Sequence, residues 1–256
     1  MKQIRLCRFA LFPLVAVLLA MAAVPAFAQP GSFIIAQHGQ PVGTANFNFV
    51  STPHGYSSTS VVRIAMQGLD YALSKTELLS PANHLRHVQL SATVNNSAVY
   101  VTAAPDAAQF LLNISANGRS STTRLPFHPA AVFLLDFDPG ALETLLALGV
   151  THNNSGLWAI IPKQAGSITP IQLATYADEQ GALNGKPISV HHLVATIAGA
   201  TTDLFSGPEN QLLQAELPQQ GFALVRKGFV LTPPAKPGAP PESGASPDPA
   251  APPTQQ

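Results

Sequence analysis

The residues of this chain that could carry acid–base or metal chemistry are its eight histidines and its aspartates. Metal sites commonly draw local pairs of ligands from one face of an element. His84 and His87 would point to opposite sides of a strand, and the adjacent His191 and His192 would do the same. The sequence therefore predicts no metal site and indicates surface and turn histidines, with His192 half-buried. The alternative is a zinc site that combines distant members of the set His38, His54, His84, His87, His128, His152, His191 and His192.

Asp136 and Asp138 are close enough in sequence to suggest the paired carboxylates of a general acid and a general base. Asp138 precedes Pro139, however, and is explained as the N-cap of a helix. The chain has no G-x-S-x-G elbow, P-loop, dinucleotide glycine motif or H-E-x-x-H motif. We therefore predict no catalytic residue, no enzyme and no cofactor, and keep a hydrolase with a non-standard site as a third hypothesis.

The beginning of the chain, residues 1–28, is typical of a cleaved secretory signal peptide. The required parts follow one another in order, as the basic residues Lys2, Arg5 and Arg8, the apolar run 9–24 and the cleavage site Ala26-Phe27-Ala28. Cleavage before Gln29 leaves no hydrophobic stretch long enough to cross a bilayer, because about 20 apolar residues are needed. We therefore expect a periplasmic or secreted protein with no transmembrane segment after signal cleavage.

Removal of the signal peptide changes the composition of the mature chain. The only cysteine, Cys7, is lost with it, so the core must be stable without disulfides. Three of the 13 basic residues are also lost, which leaves ten against 13 acidic residues. No basic patch remains to contact phosphates, and we therefore expect no nucleic-acid partner.

The end of the chain, residues 233–256, is rich in proline and has no aromatic or large aliphatic residue. Such a segment cannot bury enough apolar surface to offset the entropy of ordering, so we predict a disordered tail. Its proline content favours extended conformations, and a spacer or a ligand for a partner module is the alternative. The predicted organisation is a signal peptide at 1–28, a β-rich half-barrel-like domain at 29–232 and this tail.

Alternation of apolar and polar residues dominates the predicted domain and is typical of half-buried strands. Strands joined by short turns pair antiparallel. Asn-Gly turns favour tight hairpins because both central residues of a type I′ turn need positive φ. The predicted strands include 45–49, 62–66, 88–94, 110–114, 157–161, 168–176, 183–197, 201–205, 212–217 and 222–230, and the turns include His38-Gly39, Asn95-Asn96, Asn117-Gly118 and Asn184-Gly185.

One segment lacks this alternation and favours helix, with Asp138 as an N-cap, Pro139 in the first turn and Gly149 as a stop. It predicts two short helices, near 129–137 and 139–148. Helices that are apolar on most faces must be buried. We therefore predict a mainly β fold, a curved antiparallel sheet or half-barrel with one or two short helices at about 129–148 packed on its concave face. The candidates for lining a ligand groove are Phe133, Leu142, Leu145 and Leu146.

Two segments near the ends of the predicted domain resemble known proteins. The hairpin Gly39-Gln40-Pro41-Val42-Gly43, running on to Phe47, and the closing segment 210–218 with Val225-Arg226 resemble periplasmic relatives of the lipoprotein-carrier (LolA/LolB-like) half-barrels. The helical interruption in mid-chain is similar as well. The resemblance implies a curved antiparallel sheet around helices, with an apolar groove that holds acyl chains in the carriers. No functional residue of the carriers matches a position here.

These observations support two main hypotheses on function. The first is an exported protein that binds or carries an apolar or lipid-like ligand, because a helix inside a curved sheet makes a concave apolar site. The second is an envelope interaction or scaffold protein that uses sheet edges and the Pro-rich tail to contact an envelope protein and has no small-molecule ligand.

Overall fold

A computed structural model describes residues 30–163 and 166–233. The predicted signal peptide at 1–28 lies outside the described residues, and so does the predicted tail apart from Pro233. Of the predicted domain at 29–232, all residues except 29, 164 and 165 are described.

The first half of the domain is a meander of eight antiparallel strands, each paired with the next along the chain. Tight turns join several of them, with positive φ at both turn residues of His38-Gly39, Asn95-Asn96 and Asn117-Gly118. The predicted hairpins at these positions are confirmed. The strands are β1 (Gly31–Gln37), β2 (Gln40–Thr52), β3 (Gly55–Met66), β4 (Leu69–Leu79), β5 (Leu85–Val94), β6 (Ser97–Asp106), β7 (Gln109–Ala116) and β8 (Arg119–Pro126).

The segment predicted as two helices contains only one. Ala131–Phe133 is a strand, β9, which pairs in parallel with β10 at Leu157–Ile161. The predicted helix at 129–137 is therefore wrong. All three residues of β9 are buried, and a strand buried on both faces reads as a continuous apolar run that periodicity cannot distinguish from helix.

The second predicted helix is confirmed as α1 (Pro139–Thr151), the single α-helix among the described residues. The Asp138 side chain accepts hydrogen bonds from the backbone N–H groups of Gly140 and Ala141, at 3.0 and 3.3 Å, and so caps the helix. The helix passes the predicted stop at Gly149 by two residues and ends at Thr151. Most of its residues are buried, which explains why its sequence is apolar on most faces.

The described residues after α1 return to strands and complete one open, curved, mixed sheet of 17 strands. From β10 the order of pairing runs through β11, β13, β14, β15 and β16 to β1, which also pairs with β2. The other two strands form a short extension beside the start of β13. The strands are β11 (Ser167–Thr175), β12 (Glu179–Leu183), β13 (Lys186–Ile197), β14 (Ala200–Ser206), β15 (Leu212–Leu217), β16 (Phe222–Arg226) and β17 (Phe229–Leu231).

The mainly β prediction is thus confirmed, with β9 and β10 as the one parallel pair among the described strands. The helix α1 packs against β2, β3, β9, β10 and β15, and its side chains join those of the sheet in one large core. No helix in the described part of the chain is long and apolar enough to cross a membrane.

Candidate functional site

An apolar cavity of about 360 Å³ lies between strands β4 to β6 and two connecting segments. One segment joins β9 to α1 and the other follows β10. Asp136 and Lys163 are the only charged residues that line it among those that the structure describes. The strands contribute Leu69, Tyr71, Leu73, Leu90, Ala92, Val94, Val99 and Val101, and the connecting segments contribute Leu134, Leu135, Asp136, Phe137, Pro162 and Lys163.

The register of the sheet explains why space remains here. Ala92 on β5 lies opposite Leu73 on β4 and opposite Val99 on β6, so the smallest side chain of the row stands at its centre. Ala92 is buried and faces inward, whereas its neighbours Ser91 and Thr93 are exposed on the other side. An alanine flanked by short apolar residues leaves a hollow that a larger side chain would fill.

The cavity has a buried floor and a partly exposed mouth. Leu73, Leu90 and Val101 at the floor are at most 3% exposed, whereas Leu69 and Leu134 are only partly buried. Lys163 is exposed. A ligand could therefore enter without displacing a strand, since the mouth is bordered by connecting segments and strand ends.

An ion pair stands at this mouth. Lys163 Nζ lies 2.6 Å from Asp136 Oδ2, with the two side chains 61% and 38% exposed. Exposed pairs of this kind contribute about 0–1 kcal/mol to stability, because water screens them and ordering long side chains opposes them. The pair can therefore exchange partners with an incoming polar group at small cost.

Tyr71 supplies the remaining polar group of the cavity wall. Burial raises the pKa of its phenol, and the nearby carboxylates of Asp136 and Asp138 raise it further. The hydroxyl thus keeps its proton and can donate a hydrogen bond. Its ring meets Phe137 edge-on at 6.3 Å between centroids, and Phe137 meets Phe222 in the same way at 4.8 Å, which fixes this end of the connecting segment.

A buried ion cluster lies next to the cavity floor. Lys75 follows Leu73 on the inward face of β4 and is the cross-strand partner of Leu90. Its ammonium lies 2.6 Å from Asp138 Oδ2 and 3.1 Å from Glu77 Oε2, and all three side chains are inaccessible to solvent. The N-cap of α1 is therefore also a partner of a buried cation.

The charges of this cluster set its protonation. Burial alone would lower the pKa of Lys75, but the charges of Asp138 and Glu77 outweigh burial and raise it, so the ammonium is kept. Burial raises the pKa of Glu77, although Lys75 opposes this. One cation is thus matched mainly by Asp138, while burial favours the protonated form of Glu77.

Two serines complete the polar surroundings of the cluster. Ser58 and Ser60 on β3 are the cross-strand partners of Glu77 and Lys75, and both are fully buried. Their Oγ atoms have no hydrogen-bond partner among the described residues. A Cβ on Gly140 would lie 2.5 Å from Ser60 Oγ, so glycine allows the start of α1 to approach β3.

The sequence analysis does not predict this cluster, because the N-cap role alone accounts for Asp138. The sequence of β4 nevertheless indicates buried charges. Its inward positions alternate as Leu73, Lys75, Glu77 and Leu79, which places a cation and a carboxylate on the face that also carries the buried leucines. Charges at such positions are paired when they are buried, so a partner such as Asp138 was to be expected.

Glu143 on α1 is a further buried carboxyl group. Its Oε1 accepts a hydrogen bond from the backbone N–H of Leu212 at 2.8 Å, which joins the helix to β15. Burial raises the pKa of Glu143 to about 8, although the Leu212 N–H and the Arg226 guanidinium act in the opposite direction. The folded protein therefore holds a proton here that the unfolded chain releases at a lower pH.

The higher pKa of Glu143 in the folded protein than in the unfolded chain predicts a stability that depends on pH. Between about pH 5 and about pH 8 the unfolded chain binds fewer protons at Glu143, so the free energy of unfolding falls as pH rises, by roughly 4 kcal/mol from this residue. Glu143→Gln keeps the acceptor for Leu212 and should remove this part of the slope. Urea unfolding across that range measures it. Parallel pH profiles for the two proteins would contradict the prediction, and Glu77, whose pKa is also raised by burial, leaves a slope of the same sign in both.

The histidines that could carry chemistry are held in separate contacts. His192 lies between Asp203, at 2.9 Å, and Glu179, at 3.3 Å, with 17% of its side chain exposed, so its predicted half-buried position is confirmed. His191 contacts Asp178 at 2.9 Å instead. Within residues 30–163 and 166–233, no group of three or more histidine, cysteine, aspartate or glutamate residues is arranged to hold a metal ion.

None of the four candidate groove residues is among those that line the cavity. Phe133 and Leu145 are fully buried, and Leu142 and Leu146 are 8% and 3% exposed. Leu146 instead borders a second hollow of about 350 Å³, together with His191. The cavity begins one residue after Phe133, at Leu134, because β9 ends there and the chain turns toward the strands.

Comparisons with protein-family models, with curated proteins and with solved structures each gave no match to this chain.

Proposed function

We propose that this is an exported protein that binds an apolar or lipid-like ligand in the cavity between β4 and β6. The signal peptide predicted from the sequence supports a periplasmic or secreted location. The resemblance of its hairpins to the lipoprotein carriers points to the same class of ligand.

The observation that carries the proposal is an apolar hollow with an accessible mouth. Protein interiors are close-packed, and voids much larger than a water molecule are few. A space of about 360 Å³ whose lining residues are nearly all apolar falls within the range of about 300–1,000 Å³ that ligand pockets occupy. Such a surface gains free energy when an apolar ligand displaces its water.

The position of the cavity also suits a binding role. Its floor lies on β4, β5 and β6 beside the buried ion cluster; β4 pairs along its whole length with β3 and from Tyr71 to Leu79 with β5, and β5 pairs with β6 from Val88 to Val94. The mouth is formed by partly exposed residues of the two connecting segments. A rigid floor with an adjustable entrance is the usual arrangement of pre-formed ligand sites.

Native mass spectrometry of the protein purified from its own host tests the proposal. We expect a fraction of the protein to carry an additional mass of a small molecule, which organic extraction releases for identification. A complex with a protein partner and no bound small molecule would contradict the proposal and would support the scaffold hypothesis.

A further inference from the structure

The polar groups of the cavity wall are not scattered among the apolar ones. Among the described residues that line the cavity, the charged side chains are those of Asp136 and Lys163, which lie 2.6 Å apart at the mouth, and Tyr71 adds a hydroxyl. A ligand that fills this site therefore meets a long apolar surface and one polar region. That division matches an amphiphile, with a chain against the strands and a head group at the mouth.

The charges at the mouth are balanced, which limits the head group. Asp136 and Lys163 form an ion pair at 2.6 Å. An anionic head group would be attracted by Lys163 but repelled by Asp136. A cationic head group would be attracted by Asp136 but repelled by Lys163. A head group without net charge avoids both penalties, because it can accept from the Lys163 ammonium and donate to the Asp136 carboxylate while the pair stays intact.

The volume limits the apolar part. At about 360 Å³ the cavity lies near the lower end of the range for ligand pockets. The floor residues Leu73 and Leu90 are buried against the ion cluster, so the cavity cannot deepen there without opening a packed core. One chain fits this space better than the several chains of a fully acylated lipid.

Building on the proposed function, we infer that the ligand is a single-chain amphiphile with a head group of no net charge. Its chain lies along β4 to β6, and its head group lies at the ion pair of Asp136 and Lys163. Hydroxyl groups and N–H amides meet this requirement, since each can accept a hydrogen bond from the Lys163 ammonium and donate one to the Asp136 carboxylate.

Isothermal titration with three probes of equal chain length tests the inference: glycerol monododecanoate, dodecanoate and dodecylamine, near neutral pH and below their micelle concentrations. We expect the monoglyceride to bind the wild-type protein about tenfold more tightly than either charged probe. Equal or tighter binding of dodecanoate or dodecylamine would overturn the inference and leave the proposed function standing. Binding of none of the three would contradict the proposed function itself.

Two charge variants make the test reciprocal. Asp136→Asn leaves Lys163 unbalanced and should shift selectivity toward dodecanoate by about tenfold, whereas Lys163→Gln should shift it toward dodecylamine by a similar factor. The matched controls are Asp106→Asn and Lys186→Gln, which remove the same charges from exposed sites outside the cavity wall and should leave selectivity unchanged. Unaltered selectivity in both mouth variants would show that the head group does not lie at the ion pair.

Discussion

Lys75→Met is expected to lower the free energy of unfolding by about 3–5 kcal/mol. The ammonium of Lys75 is the cation that contacts both Asp138 and Glu77, and all three side chains are buried from solvent. Removal of Lys75 leaves Asp138 as a buried carboxylate with its two N-cap hydrogen bonds but without an opposite charge at the start of α1. Breaking one side of a buried ion pair is costly because the remaining charge cannot regain its hydration.

Urea unfolding of Lys75→Met measures this effect, with Lys186→Met as the matched control. Lys186 is exposed at the start of β13, so the same substitution there should change stability by no more than about 0.5 kcal/mol. If Lys75→Met lowers the free energy of unfolding no more than Lys186→Met does, the stability of the cluster does not depend on its cation.

Phe133→Ala is expected to cost about 3–5 kcal/mol of stability, since Phe133 is fully buried in β9 and its removal opens a cavity in the core. Leu134→Ala provides the comparison one residue along the chain. Leu134 is only partly buried and lines the apolar cavity, so its truncation should cost about 1 kcal/mol and weaken binding of an apolar probe.

Thermal unfolding and probe titration of the two variants distinguish a core residue from a residue that lines the ligand site. The folded fraction of the Phe133→Ala variant should bind the probe with wild-type affinity. Weaker binding by Phe133→Ala with unchanged stability would place Phe133 in the ligand site and would contradict its assignment to the core.

Several of the strands predicted from the sequence alternate cleanly between apolar and polar residues. β2, β3, β5 and β7 have apolar residues at every second position over part of their length, and their hairpin turns carry residues that accept positive φ. β4 was not predicted because its inward positions include Lys75 and Glu77, which interrupt the apolar pattern. β8 is mostly exposed and rich in serine and threonine, so it gives little periodic signal.

The cavity could not be predicted because it depends on register between strands. Alternation indicates that Ala92 faces inward, but not that Leu73 and Val99 lie on either side of it. The ion pair of Asp136 with Lys163 likewise joins two segments on either side of α1 and β10. Contacts between segments far apart in sequence depend on the path of the chain and cannot be predicted from the local sequence pattern.

The most direct test of the account is a fluorescence titration with N-phenylnaphthylamine, a neutral apolar probe, on the wild-type protein and Ala92→Phe. The added ring points into the cavity at its centre and fills it, whereas Thr93→Phe places the same ring on the exposed outer face of β5. We expect Ala92→Phe to lose at least about tenfold in affinity while staying folded, and Thr93→Phe to bind as the wild type does. Wild-type affinity in a folded Ala92→Phe variant would show that the cavity is not the binding site.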